Sequence, residues 1–263
     1  MLRNLTELFQ YRALLWALTV RELKARYRAS FLGFLWTFLN PTLNMAVYAL
    51  VFGVMMQSAT PKFPFFLFSG LLPWIYFSSS VGAGTTAVSD RKDLLTKVRF
   101  PAQVLPATVV LSNLINFLLS LPLLFVLGAI YGDVPTWHVV YAIPLLFIQT
   151  IFTLAVTYLL SALNVAFRDL QHIVMNMLQM MFFLTPVLWE IDKVPAVGQL
   201  TSAQMRDLVL YANPMAAITA AWRDIFYLHA MPHWIPLLGV SVFSLVTLWI
   251  SATVFEHRRE EFA

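Results

Sequence analysis

The stretch Arg21-Glu-Leu-Lys-Ala-Arg-Tyr-Arg-Ala-Ser-Phe-Leu-Gly-Phe-Leu-Trp36, continuing through Asn40-Pro41 to Met56, decides how the chain is read. Its first part closes a segment in which Leu5, Phe9, Trp16, Val20, Leu23 and Tyr27 share one helical side, with Glu7, Gln10, Arg21, Lys24 and Arg28 largely opposite. Such a helix lies along a membrane surface and does not cross it. After Arg28 no charged residue occurs until Lys62, and the run from about Gly33 to Met56 is long enough to cross roughly 30 Å of hydrocarbon.

The same pattern recurs outward from this stretch. Further apolar runs cover about Phe65 to Val88, a segment ending near Tyr131, Trp137 to Phe167, a segment ending near Trp189, and Trp234 to Phe255. The chain of 263 residues is 60% hydrophobic and only 11% charged, against about 25% charged in an ordinary soluble domain, so its solvent is lipid. Between Glu190 and Pro232 the pattern is mixed and broken by Asn213-Pro214, which predicts two short helices at one surface.

The expected fold class is an all-α polytopic membrane protein with six transmembrane helices and an N-terminal amphipathic interfacial helix. Residues 1–263 form one domain: 1–32 the interfacial helix, 33–189 spans one to five, 190–232 the short helices, and 233–263 the sixth span with its tail. Most basic residues fall in the N-terminal helix, the Ser89 to Pro101 loop, Arg168, Arg258 and Arg259, while only Lys62, Lys193, Arg206 and Arg223 fall opposite. By the positive-inside rule both termini are cytoplasmic. The N-terminus lacks the compact apolar core and cleavage site of a signal peptide and is expected to stay on the protein.

Several function classes are disfavoured. No ionisable residue lies near the middle of any expected span, where ion-coupled carriers keep such groups, although sodium coupling through backbone carbonyls stays open. No Gly-rich loop followed by Lys and Ser or Thr is present, so any ATPase is a separate subunit. The absence of cysteine excludes disulfides and thiolate sites. His229 and His233 have helical spacing, but Pro232 lies between them and no acidic third ligand is near, so they read as interfacial histidines.

Three constellations carry candidate function. Arg21, Lys24, Arg26 and Arg28 would sit at headgroup level, either anchoring to anionic lipid or holding a lipid diphosphate, for which arginine is suited. Asp90, Arg91, Lys92, Asp93, Lys97 and Arg99 form either a solvated loop or a short coupling helix that receives motion from an ATPase. Trp36, Asn40, Asn44 and Tyr48 recur at four-residue spacing on the first span, and Asn113, Asn116 and Ser120 make a similar face on the third. Interhelical hydrogen bonding accounts for such amides; a passage compatible with sugars is the alternative. Trp74, Tyr76 and Phe77 are expected near the outer end of the second span, as an ordinary aromatic belt or as further passage residues.

The Arg21 to Trp36 stretch with Asn40-Pro41, together with Ser69-Gly-Leu-Leu-Pro-Trp74, Lys97-Val-Arg-Phe-Pro101 and Asn213-Pro214, resembles the ABC-2 type permeases that export polysaccharide. The resemblance runs in order over almost the whole chain and is similar to the O-antigen permeases, with capsule and teichoic-acid permeases as relatives. It implies a homodimer in the bacterial inner membrane, bound to two copies of an ATPase subunit that carries ATP and Mg, with no cofactor on this chain. It implies a glycan on an undecaprenyl diphosphate anchor as substrate, and no nucleic acid. It further implies that the N-terminal helix is an interfacial gate, that the Asp90 to Arg99 loop meets the ATPase, and that the Glu190 to Tyr227 stretch forms periplasmic gate helices. A membrane-embedded enzyme acting on lipid-linked sugars and an ABC-2 permease for small lipophiles are the rival readings.

Overall fold

The computed structural model describes residues 10–27, 30–91 and 100–257. Among these residues the fold is built from nine α-helices: α1 (Arg12–Tyr27), α2 (Trp36–Tyr48), α3 (Phe63–Thr85), α4 (Val104–Ile130), α5 (Ala142–Ala166), α6 (Leu170–Leu184), α7 (Ser202–Ala212), α8 (Pro214–Phe226) and α9 (Trp234–His257). A 3-10 turn leads into α2, and a π-helical stretch, Ala49–Met55, extends it. Five helical segments are long and apolar enough to cross a membrane: Gly33–Met55, Phe63–Thr85, Val104–Ile130, Trp137–Ala166 and Trp234–Phe255. The protein is an all-helical integral membrane protein.

The helix α3 is the centre of the bundle. Its sequence is apolar on every side, as an enclosed helix requires, and 78% of its apolar window is buried, against 6% for Gly33–Met55. Phe66, Leu67, Phe68, Leu71 and Tyr76 of α3 are fully enclosed by α4, α5, α8 and the C-terminal part of α6. The first span therefore lies on the outside of the bundle, against α3 and α4. The helix α1 packs on α4 through Leu15, Leu18 and the buried Thr19, leaving Trp16 exposed.

Two prolines inside helices mark contacts between neighbouring helices. Pro41 inside α2 cannot bond the Thr37 carbonyl one turn back, and Ser120 Oγ of α4 lies 3.3 Å from that carbonyl oxygen, sharing its one proton between it and the Asn116 carbonyl of its own helix at 2.9 Å. In α3 the Pro73 carbonyl accepts from Gln149 Nε2 of α5 at 2.9 Å, and Gln149 Oε1 in turn accepts from Trp222 Nε1 of α8 at 2.7 Å. Gln149 and Trp222 are both buried, so three helices share one satisfied polar chain in an apolar interior.

The segment expected to be the fifth span stops early. The helix α6 ends at Leu184 after 15 residues, about 22 Å of rise, because Thr185 precedes Pro186 and is held extended with ψ 138. The chain from Thr185 to Leu188 then runs through the bundle as buried, non-helical backbone, which membrane depth tolerates only where protein meets its polar groups. Arg223 of α8 meets them. Its Nη1 donates to the carbonyls of Pro186 and Trp189, Nη2 to Val187 at 2.5 Å, and Nε to Phe66 of α3 at 3.4 Å. The guanidinium also lies 3.7 Å over the Phe66 ring.

Local sequence prepares this arrangement. Asn213 caps α8, its Oδ1 accepting from the Met215 and Ala216 amides, with Pro214 in the first turn. The Asn213 Nδ2 donates to Thr185 Oγ1 at 3.0 Å and binds the cap to the end of α6. Gly70 makes room for the arginine: a Cβ there would stand 2.8 Å from Arg223 Nη2.

Gly70→Ala and Arg223→Lys are each expected to lower the unfolding midpoint in detergent, by about 1–3 kcal/mol of stability, because lysine lacks the donors and geometry to serve four carbonyls. Both disturb the same contact, so the double variant should lose less than the sum. Full additivity in thermal unfolding would mean that Gly70 does not act through Arg223.

Candidate functional site

A polar groove opens on the side of the bundle where α1, α2, α3 and α4 meet. Its volume is about 490 Å³. Four-residue spacing places Trp36, Asn40 and Asn44 along the α2 wall; Asn113, Asn116 and Ser120 line the α4 wall; Arg26 reaches in from α1; and Tyr76 stands in the α3 wall, its ring stacked on Phe117 at 5.4 Å. Arg26 Nη1 donates to Asn113 Oδ1 at 3.0 Å. Asn113 is almost fully buried, yet its Nδ2 has no partner. An amide donor left unpaired in a protein interior carries a cost of about 1–3 kcal/mol.

The two polar faces seen in the sequence thus oppose one another across one groove. Asn44 Nδ2 donates to the Asn40 carbonyl at 2.9 Å, and Trp36 Nε1 donates to Ser30 Oγ at 3.1 Å. Tyr48 does not join them. Twelve residues beyond Trp36 it has rotated by about 120° around the helix, and its ring meets Phe182 of α6 at 5.3 Å. Trp74 is also elsewhere: it lies in the middle of α3, not at its outer end, and packs on Phe77 and Phe182 in the core. Two residues apart on a helix, Trp74 and Tyr76 face away from each other, so only Tyr76 borders the groove.

Of the basic cluster, Arg26 is in the groove, Arg21 and Lys24 are exposed on α1 outside it, and Arg28 lies outside the described residues. In the loop after α3, Asp90 is exposed, while Lys92, Asp93, Lys97 and Arg99 lie outside the described residues. Arg91 makes a contact the sequence did not reveal: its Nη2 is 2.5 Å from Glu22 Oε2 of α1. Ser89 Oγ accepts from Asn164 Nδ2 at the end of α5, at 3.1 Å. The start of the loop is therefore joined both to α5 and to the helix that carries Arg26.

At the far end of the bundle two carboxylates are shifted in opposite senses. Glu190 accepts from Lys193 at 2.6 Å and from Thr60 at 2.5 Å. Burial works to raise its pKa, but these hydrogen bonds and the Lys193 and Arg223 charges outweigh it and hold it below the usual range. Asp224 is raised from 3.8 to about 6, chiefly by burial and also by Asp192, against the lowering influence of His233 and Arg223.

The ABC-2 type transporter family matches residues 13–227. The chain belongs to that family. As an ABC-2 type transporter it is 58% identical over its full length to the O-antigen export system permease protein RfbA of Myxococcus xanthus, covering 99% of that protein. It is 34% identical over 224 residues, 85% of this chain and 82% of the other, to a protein of the same description from Klebsiella pneumoniae. It is 23% identical to the polysialic acid transport protein KpsM of Escherichia coli, over 93% of both chains. The ABC-2 match includes the Arg26, Asn40 and Asn113 positions of the groove and Arg223.

Two measurements follow from this geometry. Because the chain has no cysteine, Asn40→Cys and Ala46→Cys can be labelled without background in membranes. A polar, charged maleimide should modify position 40 in the groove and leave position 46, exposed about 120° away around α2, unmodified; equal labelling would mean that α2 does not border a hydrated groove. The folded protein keeps the Asp224 proton to higher pH than the unfolded chain, so its stability relative to Asp224→Asn should fall as pH rises from about 4 to about 6 and stay level above. Melting temperatures across that window read the difference, and a parallel pH profile for the two proteins would remove the shift.

Proposed function

We propose that the chain is the transmembrane permease subunit of an ABC exporter that moves undecaprenyl-diphosphate-linked polysaccharide of the O-antigen type across the bacterial inner membrane. The observation that carries the reading is the groove. Asn40, Asn113 and Arg26 present polar groups on the side of a span only 6% buried within the protomer. In lipid such a face needs a polar neighbour, and a second copy of the chain with a hydroxyl-rich passenger between the two supplies it. The full-length identity with an O-antigen export permease points to the same substrate class.

In this reading two protomers face each other through α2 and α4, and both termini are cytoplasmic. Residues 1–263 act as one transmembrane domain of six spans. The fifth is α6 completed by the Thr185 to Trp189 segment, and α7 and α8 form the periplasmic gate. Arg21, Lys24, Arg26 and Arg28 hold the lipid diphosphate at the cytoplasmic interface, and the glycan passes Trp36, Asn40, Asn44 and Tyr76. Tyr48 and Trp74 act from behind this face by setting the positions of α2 and α3.

Energy arrives from two copies of an ATPase subunit, which hold ATP and Mg and press on the loop formed by Asp90, Arg91, Lys92, Asp93, Lys97 and Arg99. The Arg91 to Glu22 ion pair passes that displacement to α1 and so to Arg26. The permease itself makes and breaks no covalent bond.

Deleting the gene in its native cell should leave full-length lipid-linked glycan on the cytoplasmic face, relieved by a plasmid copy. Normal surface glycan would reject the reading, and truncated glycan would point to an enzyme instead. Arg91→Glu should lower export, and Glu22→Arg combined with Arg91→Glu should recover it. Failure of the swap in a complex that still assembles would remove the ion pair from the coupling route.

A further inference from the structure

A second cavity, of about 620 Å³, lies at the end of the bundle away from α1, between α7, α8 and the start of α9. It is separate from the polar groove in both position and lining. Its volume is that of a small-molecule site. Asp224 stands in its wall, nine-tenths buried, and Oδ2 of that carboxylate has no hydrogen-bond partner. Around it are Asp192 and Asp207, which share the single guanidinium of Arg206 at 3.4 Å each. Tyr211 and Trp234 add two aromatic rings to an otherwise largely apolar lining.

The chemistry of these groups narrows the ligand. A purely apolar occupant would leave the buried carboxylate oxygen unpaired, at full desolvation cost. A phosphate or other anion would meet three carboxylates against one guanidinium and the His233 imidazole. A divalent cation needs several oxygen ligands converging on one point, and no group of three acidic or histidine side chains suited to a metal occurs among the described residues. A neutral molecule with several hydroxyl donors and apolar C–H faces fits every wall: hydroxyls donate to Asp224, Asp192 and Asp207, Arg206 donates to ring or hydroxyl oxygens, and the aromatic rings cover the C–H faces.

We infer that this cavity is a saccharide-binding site, in which Asp224 Oδ2 accepts a hydroxyl from a neutral sugar unit of the polysaccharide. The inference rests on the export reading for the identity of its ligand. The cavity lies beside the expected periplasmic gate helices, and a sugar held there is retained at the outer end as the chain emerges. Backsliding of the glycan is thereby opposed at the outer end.

The test uses the full chain in nanodiscs with its ATPase partner, and as probe the source cell's own surface polysaccharide, freed from lipid by mild acid. Saturation-transfer NMR reads binding. The wild type should give a transfer signal, with Asp224→Asn weakening binding by about tenfold, the usual effect of losing a charge-assisted hydrogen bond. Ala220→Leu, which fills the cavity from α8 and leaves Asp224 intact, should also remove the signal, so that the result does not depend on one variant folding. Ile143→Ala, on the exposed side of α5 and in neither cavity, should keep it.

Absence of signal in wild-type protein that still exports glycan in cells would overturn this site while leaving the export reading standing. A signal unchanged in both cavity variants would also overturn it. Loss of co-purified phosphatidylethanolamine in Asp224→Asn, with no polysaccharide signal in the wild type, would reassign the cavity to a lipid ammonium group.

Discussion

The Arg223 guanidinium is the interaction on which the rest of this bundle depends. A chain that ends an apolar helix at Thr185-Pro186 and continues as buried, non-helical backbone leaves carbonyls that lipid cannot satisfy, and one side chain from α8 serves three of them together with a fourth from α3. Its burial is costly for a charge, and several fixed carbonyl dipoles, the Phe66 ring and the nearby Glu190 offset that cost. Through it α3, the end of α6 and α8 are held in one arrangement. Gly70 and Asn213, both inside stretches quoted for their family resemblance, are local requirements of that contact.

The central helix in turn determines what remains for the outside. With α3 enclosed by α4, α5, α6 and α8, the Gly33–Met55 span is left on the flank, and its amides meet those of α4 across open space rather than through direct contact. The groove is a consequence of packing. Pro41 and Ser120 join α2 and α4 at one level while Arg26 bridges to Asn113 at another, so the two walls are attached and still separated. The Arg91 to Glu22 pair joins the same α1 to the start of the loop that follows α3, so loop and groove are linked through one helix.

Much of this was legible in the residues. The apolar runs placed five spans to within a few positions, since length and the absence of charge decide membrane crossing, and Asn213-Pro214 marked the start of α8 because cap and proline chemistry are local. The four-residue stripe put Asn40 and Asn44 in the groove. It left the groove at Tyr48, where a four-residue spacing drifts from a 3.6-residue helix. Trp74, expected separately at the outer end of the second span, lies in the middle of α3 on a face set by its tertiary surroundings. Arg223 entered the sequence reading only as one of the few basic residues on the outer side, because its partners are backbone carbonyls, which no side-chain pattern reveals. The Glu22 to Arg91 pairing joins positions far apart in the chain and was equally invisible.

The claim that the groove is the route of the passenger is tested most directly by placing a benzoylphenylalanine photocross-linker at position 40 or position 46 in cells actively exporting glycan. The account predicts an ultraviolet-dependent ladder of glycan-bearing permease for position 40 and none for position 46. Glycan captured equally at both, or only at position 46, would contradict it.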